Sequence, residues 1–312
     1  MMDLISEEHF KINLSKLRLP ELITINADKS FHDVITLMRE KDIGSVIIGN
    51  QSNIEGIFTE RDIITKLDLI LEDRNRPIKD IMTPDPISLT CETELVEAMT
   101  LMSSKEFRHV PIKAEDGTLY MLSIQDIVKY IVALCGSKLV NVKPITDWDR
   151  SCINLDETNI LHVTHEMGKC LSTQFLDVPL RRIYTSRVSI VDDELSIIEG
   201  LRILAEKNHS VALLMQYQTE LVGIVTERDI LLKAFSKDLD LNMPIKSICT
   251  LKPHTLSRDH TFANAIKNMF SHNYRNVPIV NQEGFPIGNI SLLELLIFFC
   301  SELGFRRIAA LN

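Results

Sequence analysis

The stretch GIFTERDII, from Gly56 to Ile64, returns as GIVTERDIL from Gly223 to Leu231, 167 residues further on. A chain that carries one supersecondary unit twice has to bury the same face twice, so internal repetition limits the fold more than any local propensity. Weaker versions of this ending, LSIQDIV from Leu122 and ISLLELL from Ile290, close two further segments of similar length. Four units result.

Their register is carried by the apolar stripe of a helix that precedes each ending, with core positions at i, i+3, i+4 and i+7. The stripes are Phe31, Val34, Ile35, Met38; Leu95, Ala98, Met99, Met102; Ile197, Gly200, Leu201, Leu204; and Phe262, Ala265, Ile266, Met269. From the first stripe residue to the hydroxyl of the ending is 28 residues in units one and two and 29 in units three and four. A short strand (ITIN, ISLT, VSIV or HTLS) precedes each stripe, and VIIG, VPIK, VALLM or VPIV follows it. Ser30 with Asp33 has capping-box spacing at the start of the first helix. The last strand should run straight into a closing helix, for example Asp62 to Leu69. Each unit therefore reads as β-α-β-β-α, an α+β fold.

One such unit buries too little to stand alone, so the units should pair through their sheets and helices. The spacers divide the chain into a first pair at 1–135 (repeats about 15–70 and 80–135), a linker at 136–179, and a second pair at 180–312 (repeats about 180–236 and 245–302). The linker holds Trp148 and amphipathic-helix spacing through Ile160, Leu161, Val163, Thr164 and Met167, so it should be structured.

Composition narrows the class. With 45% hydrophobic and 25% charged residues the chain belongs with packed globular proteins. Its net charge of −9 argues against nucleic acid as the main partner, though a local basic pocket stays compatible with it. Six scattered cysteines without a CxxC fit reduced thiols and a cytoplasmic setting. The N-terminus shows no export signal. Leu292 to Cys300, the most apolar run, is too short to span a bilayer and contains Glu294, so it reads as a buried helix.

The glycine-led endings with T-E-R-D at Thr59–Asp62 and Thr226–Asp229, the segment DIMTPDPISL from Asp80, and FRHVPI from Phe107 with YRNVPIV from Tyr274 resemble the cystathionine-β-synthase (CBS) domain family. The resemblance covers nearly the whole chain outside the N-terminal arm and the linker. It implies two pseudo-two-fold pairs, an architecture similar to that of four-repeat nucleotide sensors such as the gamma subunit of the AMP-activated protein kinase. Each pair would offer two clefts for an adenine nucleotide: AMP, ADP or ATP.

On that resemblance, the acid three residues past each hydroxyl (Asp62, Asp126, Asp229 and the longer Glu294) would hold the ribose diol. The hydroxyls of Thr59, Ser123, Thr226 and Ser291, where the last helix begins, would face phosphate. Arg108 with His109, and Arg275, occupy positions where the kinase subunit carries phosphate-binding basic residues, with Arg61 and Arg228 as further candidates. Forked arginines suit phosphate oxygens. The adenine would rest near Ile23, Ile87, Val188 and His254. The bland alternatives are an ordinary N-cap box for each hydroxyl–acid pair, a surface ion pair for each arginine, and plain core for the apolar residues.

Two departures predict unequal clefts. Tyr120 stands where the other units have Gly56, Gly223 and Gly288, and Glu294 replaces aspartate. The clefts of units one and three should therefore be best formed. His162, His165, Cys152 and Cys170 match no standard metal spacing, so no metal and no cofactor is expected. No Walker loop, GxSxG, HExxH or GxGxxG accompanies the repeats, and an enzyme would need its whole site in the linker. The expectation is a non-catalytic sensor that signals to a protein partner or by self-association, without a membrane. The alternative is a scaffold with vestigial clefts, or one that holds another adenosyl ligand such as S-adenosylmethionine.

Overall fold

The computed structural model describes residues 7–50, 53–135, 174–235 and 239–303. Trp148, the amphipathic stretch of the linker, and the Cys152, His162, His165 and Cys170 group lie outside them.

Unit one consists of β1 (Thr24–Ile25), α1 (Phe31–Glu40), β2 (Ser45–Asn50), β3 (Asn53–Thr59), α2 (Glu60–Thr65) and α3 (Leu67–Glu72). After β4 (Thr83–Pro84), unit two follows with β5 (Leu89–Thr90), α4 (Leu95–Lys105), β6 (His109–Lys113), β7 (Leu119–Ser123) and α5 (Ile124–Cys135). Unit three has β8 (Ser189–Asp192), α6 (Ile197–Lys207), β9 (Val211–Gln216), β10 (Glu220–Thr226) and a short α7 (Glu227–Asp229) that widens into a π-helical turn at Ile230–Ala234. After β11 (Thr250–Leu251), unit four has β12 (Leu256–Ser257), α8 (Phe262–Ser271), β13 (Asn276–Val280), β14 (Pro286–Ser291) and α9 (Leu292–Glu302).

Each unit forms its own sheet, in which the first strand pairs parallel with the second across a helix and the second pairs antiparallel with the third. The helix stripes are buried as their spacing requires. Ser30 with Asp33 forms the expected capping box, and Ser196 with Glu199 and Thr261 with Asn264 repeat it. The closing helix of unit one is not continuous. It breaks at Lys66 (φ −118°, ψ 22°), and its last turn restarts at Leu67.

The segment that leads into a unit docks on the other member of its pair. β4 hydrogen-bonds to β3 with Gly56 opposite Pro84, and β11 to β10 with Gly223 opposite Leu251. One turn earlier, Pro77 bridges Ser30, Asn13 bridges Glu94, Pro244 bridges Ser196 and Pro179 bridges Thr261. Here lies the reason for the glycine of the repeated ending. A Cβ on Gly56 would sit 2.4 Å from Met82 Sδ and 2.9 Å from the Thr83 carbonyl oxygen, and one on Gly288 would sit 2.9 Å from Thr185 Oγ1. In unit two Tyr120 instead bridges Glu21 of the N-terminal arm.

Sheets meet within the first pair, where Ile47 and Ile57 touch Met121. The helices pack differently: the two large cores each draw on both pairs. One joins Phe31, Ile35 and Ile63 of unit one to Leu201, Leu204 and Ile230 of unit three, with Phe31 edge-on to Phe235 at 5.4 Å. The other joins Met99 and Ile127 of unit two to Phe262 and Phe299 of unit four, with Phe10 of the N-terminal arm 5.6 Å from Phe299. Thus α2 packs on α6 and α7, and α9 on α4 and α5. Among the described residues no helix is long and apolar enough to cross a membrane.

Candidate functional site

Helix packing across the pairs leaves a central cavity of about 1140 Å³ into which all four units project. Equivalent positions shape it. Each first helix is followed by one left-handed residue, Asp42 (φ 54°), Glu106 (φ 58°), Asn208 (φ 53°) or Asn273 (φ 54°). Asp and Asn, at three of the four positions, tolerate that conformation better than most residues. Two positions on, the chain enters the cavity wall with Gly44, Arg108, Ser210 and Arg275. Arginine alternates with a small residue because each arginine needs room opposite. A Cβ on Gly44 would lie 3.4 Å from Arg275 Nη1, and Arg108 Nη2 donates to Ser210 Oγ at 3.1 Å.

At the centre, the T-E-R-D copies of units one and three face each other. Arg228 Nη1 donates to Glu60 Oε1 at 2.9 Å, and Arg275 Nη1 to Glu60 Oε2 at 3.3 Å. Arg61 Nη1 donates to Glu227 Oε1 at 3.1 Å, and Arg108 Nη1 donates to Glu227 Oε2. Arg61 also reaches Asn208 Oδ1 at 2.8 Å, and Arg228 reaches Asp42. Burial raises the Glu60 carboxyl above its ordinary range, against the pull of Arg275 and Arg228. Burial works against the charge on Arg108, yet Glu227 holds its guanidinium above the usual value. Four guanidiniums, one from each unit, thus meet around three carboxylates, Glu60, Glu227 and the more exposed Asp42, inside a chain of net charge −9.

Asp62, Asp229 and Glu294 line the cavity; Asp126 does not. Each of the four acids is already engaged. Thr59 Oγ1 donates to Asp62 at 2.7 Å, Ser123 Oγ to Asp126 at 2.6 Å, Thr226 Oγ1 to Asp229 at 2.7 Å, and Ser291 Oγ to Glu294, each with the backbone N–H as well. The capping-box geometry is thus present in all four units, and a ligand role would be added to it. The second oxygen of Asp62 takes Lys66 at 2.8 Å and Thr83 at 3.1 Å, and that of Asp229 takes Lys233 at 2.8 Å and Thr250 at 3.3 Å.

Thr83 and Thr250 come from the docked arms, and Thr185 holds the equivalent place beside Gly288. In unit two that place is taken by Leu19, which packs against the core. Three clefts therefore share a threonine, a glycine and a cavity-facing acid, and unit two lacks all three. That is one cleft more than the glycine and acid pattern of units one and three implied.

Ile87 and His254 line the cavity, whereas Ile23 and Val188 pack at the edges of apolar clusters. Since β4 lies on β3 and β11 on β10, the arm that carries Ile87 docks on the unit of Asp62 and the arm that carries His254 on the unit of Asp229. His254 stacks on His272 at 4.2 Å, which in turn stacks on Tyr274 at 5.3 Å. His109 also lines the cavity, with its imidazole pushed down to about 3 by burial and by Arg275 and Arg108. Among the described residues no group of three or more His, Cys, Asp or Glu could hold a metal ion.

Spacing alone missed Glu60 and Glu227, the acids that hold the arginines. The available signal was their identity in both T-E-R-D copies, at a first helical turn where burial of glutamate is otherwise rare. Lys66, Lys233, Thr83 and Thr250 gave no comparable signal.

Four repeats, each a helix-crossed sheet whose leading arm docks on its partner, define a tandem CBS protein. The CBS domain model matches residues 15–69, 78–133, 180–235 and 245–300, and the chain belongs to that family. It is 21% identical over 309 residues to the CBS domain-containing protein CBSCBSPB2 of Arabidopsis thaliana, covering 90% of this chain and 52% of that protein. It is 33% identical over 113 residues to the Arabidopsis protein CBSX3, mitochondrial, covering 34% of this chain and 54% of that one. The chain thus spans about half the length of the curated relatives it matches. Its fold is shared with protein MJ1225 of Methanocaldococcus jannaschii, described as a candidate archaeal homologue of g-AMPK, at a TM-score of 0.69 and 15% identity over 92% of this chain and 100% of that one. A conserved protein from Pyrococcus horikoshii matches at a TM-score of 0.54 and 18% identity, over 91% of this chain and 97% of that one.

Proposed function

We propose that this chain is a non-catalytic regulatory module that binds adenine nucleotides in the clefts around its central cavity, with ligand phosphates toward the arginines. One observation carries this: Arg61, Arg108, Arg228 and Arg275, one from each unit, converge on a single cavity around the Glu60 and Glu227 carboxylates. Forked guanidiniums in a partly desolvated cavity are suited to phosphate. The Thr–Asp boxes of units one and three and the Ser291–Glu294 box of unit four put a carboxylate for the ribose beside them at three of the four clefts. Signalling would pass to a protein partner or through self-association, in the cytoplasm.

The second reading is a scaffold, and it too has support, because the Asp62 and Asp229 carboxylates are saturated by Thr and Lys without any ligand. Titration calorimetry with AMP, ADP, ATP and S-adenosylmethionine separates the two. The nucleotide role requires more than one and fewer than four sites per chain. At a hundredfold excess over Kd the ligand should add about 2.7 kcal/mol to stability, which a melting curve resolves. No heat and no shift with any adenylate at millimolar concentration would leave the scaffold. ATP incubated with the protein should stay intact, and hydrolysis lost on substituting a residue of this chain would overturn the non-catalytic role.

A further inference from the structure

The ion pairs of Glu60 and Glu227 all run between the two halves of the molecule, as does that of Arg228 with Asp42. Glu60 takes Arg228 and Arg275 from the second pair, and Glu227 takes Arg61 and Arg108 from the first. The glutamates are buried, at 7% and 4% exposure, while the Arg61, Arg108 and Arg275 side chains keep 34% of theirs and border the cavity. A carboxylate and a phosphate occupy the same place on a guanidinium fork. These two glutamates therefore sit where a phosphate would have to sit. The local fold does not demand them: the helix starts are already capped by Thr59 with Asp62 and by Thr226 with Asp229.

We propose that Glu60 and Glu227 are resident counter-anions of the phosphate position, so that a phosphate-bearing ligand enters by exchanging with them and, in doing so, releases ties between the two halves. This exchange deepens the nucleotide-binding role proposed above. A glutamate that loses two cations and gains a phosphate neighbour becomes a stronger base, so the exchange should draw in protons. The groups that face Glu60 are Arg228, Arg275 and, at longer range, Glu227. Those around Glu227 are Arg61 and Arg108. Arg108 also feels Glu294 and Glu60, and His109 lies near Arg275 and Arg108. His109 is neutral here, and because an anion in the cavity would favour its charged form too, proton uptake is measured in a His109→Asn background.

The test uses the full chain and its Glu60→Gln and Glu227→Gln variants, which keep shape and hydrogen-bond acceptance while removing charge. Each is titrated with inorganic pyrophosphate, AMP and ATP. The expected result is tighter pyrophosphate binding in each variant, by about tenfold or more, together with a lower melting temperature before ligand is added. Unchanged or weaker binding in variants with an intact far-UV spectrum would make the glutamates simple props for the arginines and sink the exchange. Wild type that ignores nucleotides while the variants gain pyrophosphate binding would overturn the adenylate role and keep the exchange. Nucleotide binding by wild type with no gain in either variant would do the reverse. Should the variants fail to fold, the His109→Asn protein is titrated near neutral pH with sulfate, whose own charge is constant there, in two buffers of different ionisation enthalpy. Proton uptake on binding supports the exchange, and its absence overturns it.

Discussion

His109 is held neutral in the cavity wall, its imidazole at about 3 because of burial and the nearby Arg275 and Arg108. In the unfolded chain it would titrate near the ordinary value of about 6.5. The folded pKa is the lower one, so the neutral form stabilises the fold fully above about 6.5, and that stability drains away as pH falls toward 3. Unit four carries Asn276 at the equivalent place, which makes His109→Asn a substitution the fold already accommodates. We expect the variant to unfold at a lower pH than wild type in acid titrations followed by circular dichroism, with little difference at pH above about 7.5. An unchanged acid midpoint would mean that other groups govern acid unfolding. Asp229→Ala should weaken AMP by roughly tenfold to a hundredfold if the acid holds ribose. Arg108→Ala should weaken ligands in order of phosphate count and spare adenosine. Equal affinity for AMP in wild type and both variants would reduce the Thr–Asp boxes to caps.

Among the elements, the first helices were legible because a 3.6-residue stripe and a cap are local patterns, and α1 and α6 have the stripe and box that their sequences spell out. The closing helices were less so. Nothing in KLDL announces the break at Lys66, whose ammonium is drawn back to Asp62 at 2.8 Å and to Thr83 at 3.3 Å from the docked arm. The glycine of the repeated ending could be recognised as a requirement for close approach, but not what approaches. The structure puts the Met82–Thr83 arm there, with a backbone oxygen that cannot yield. Gly56→Ala should therefore cost about 1–3 kcal/mol of stability and pull Thr83 away from Asp62, which a denaturant titration and the Asp62 side-chain NMR signal would both report. A stability change within about 0.5 kcal/mol would show that the arm moves aside freely.

On the scale of the whole molecule, two cores that each span both pairs tie the halves into one cooperative body. Phe31 meets Phe235 across the halves, as Phe10 and Met99 meet Phe299 and Cys300. Calorimetric unfolding should accordingly give one transition with equal calorimetric and van't Hoff enthalpies. Two separated transitions would show that each pair folds by itself. Four repeats, their β-α-β-β-α order, their buried stripes and the hydroxyl–acid boxes were all determined by the sequence alone, because each depends on residues a few positions apart. Only the tertiary structure decided that unit one packs its helices on unit three and unit two on unit four, and that Arg108 finds Glu227 at a separation of 119 residues. Spacing along a chain records which face of an element is apolar. Which of several similar faces it meets is decided by shape and charge that exist only once all four units are in place.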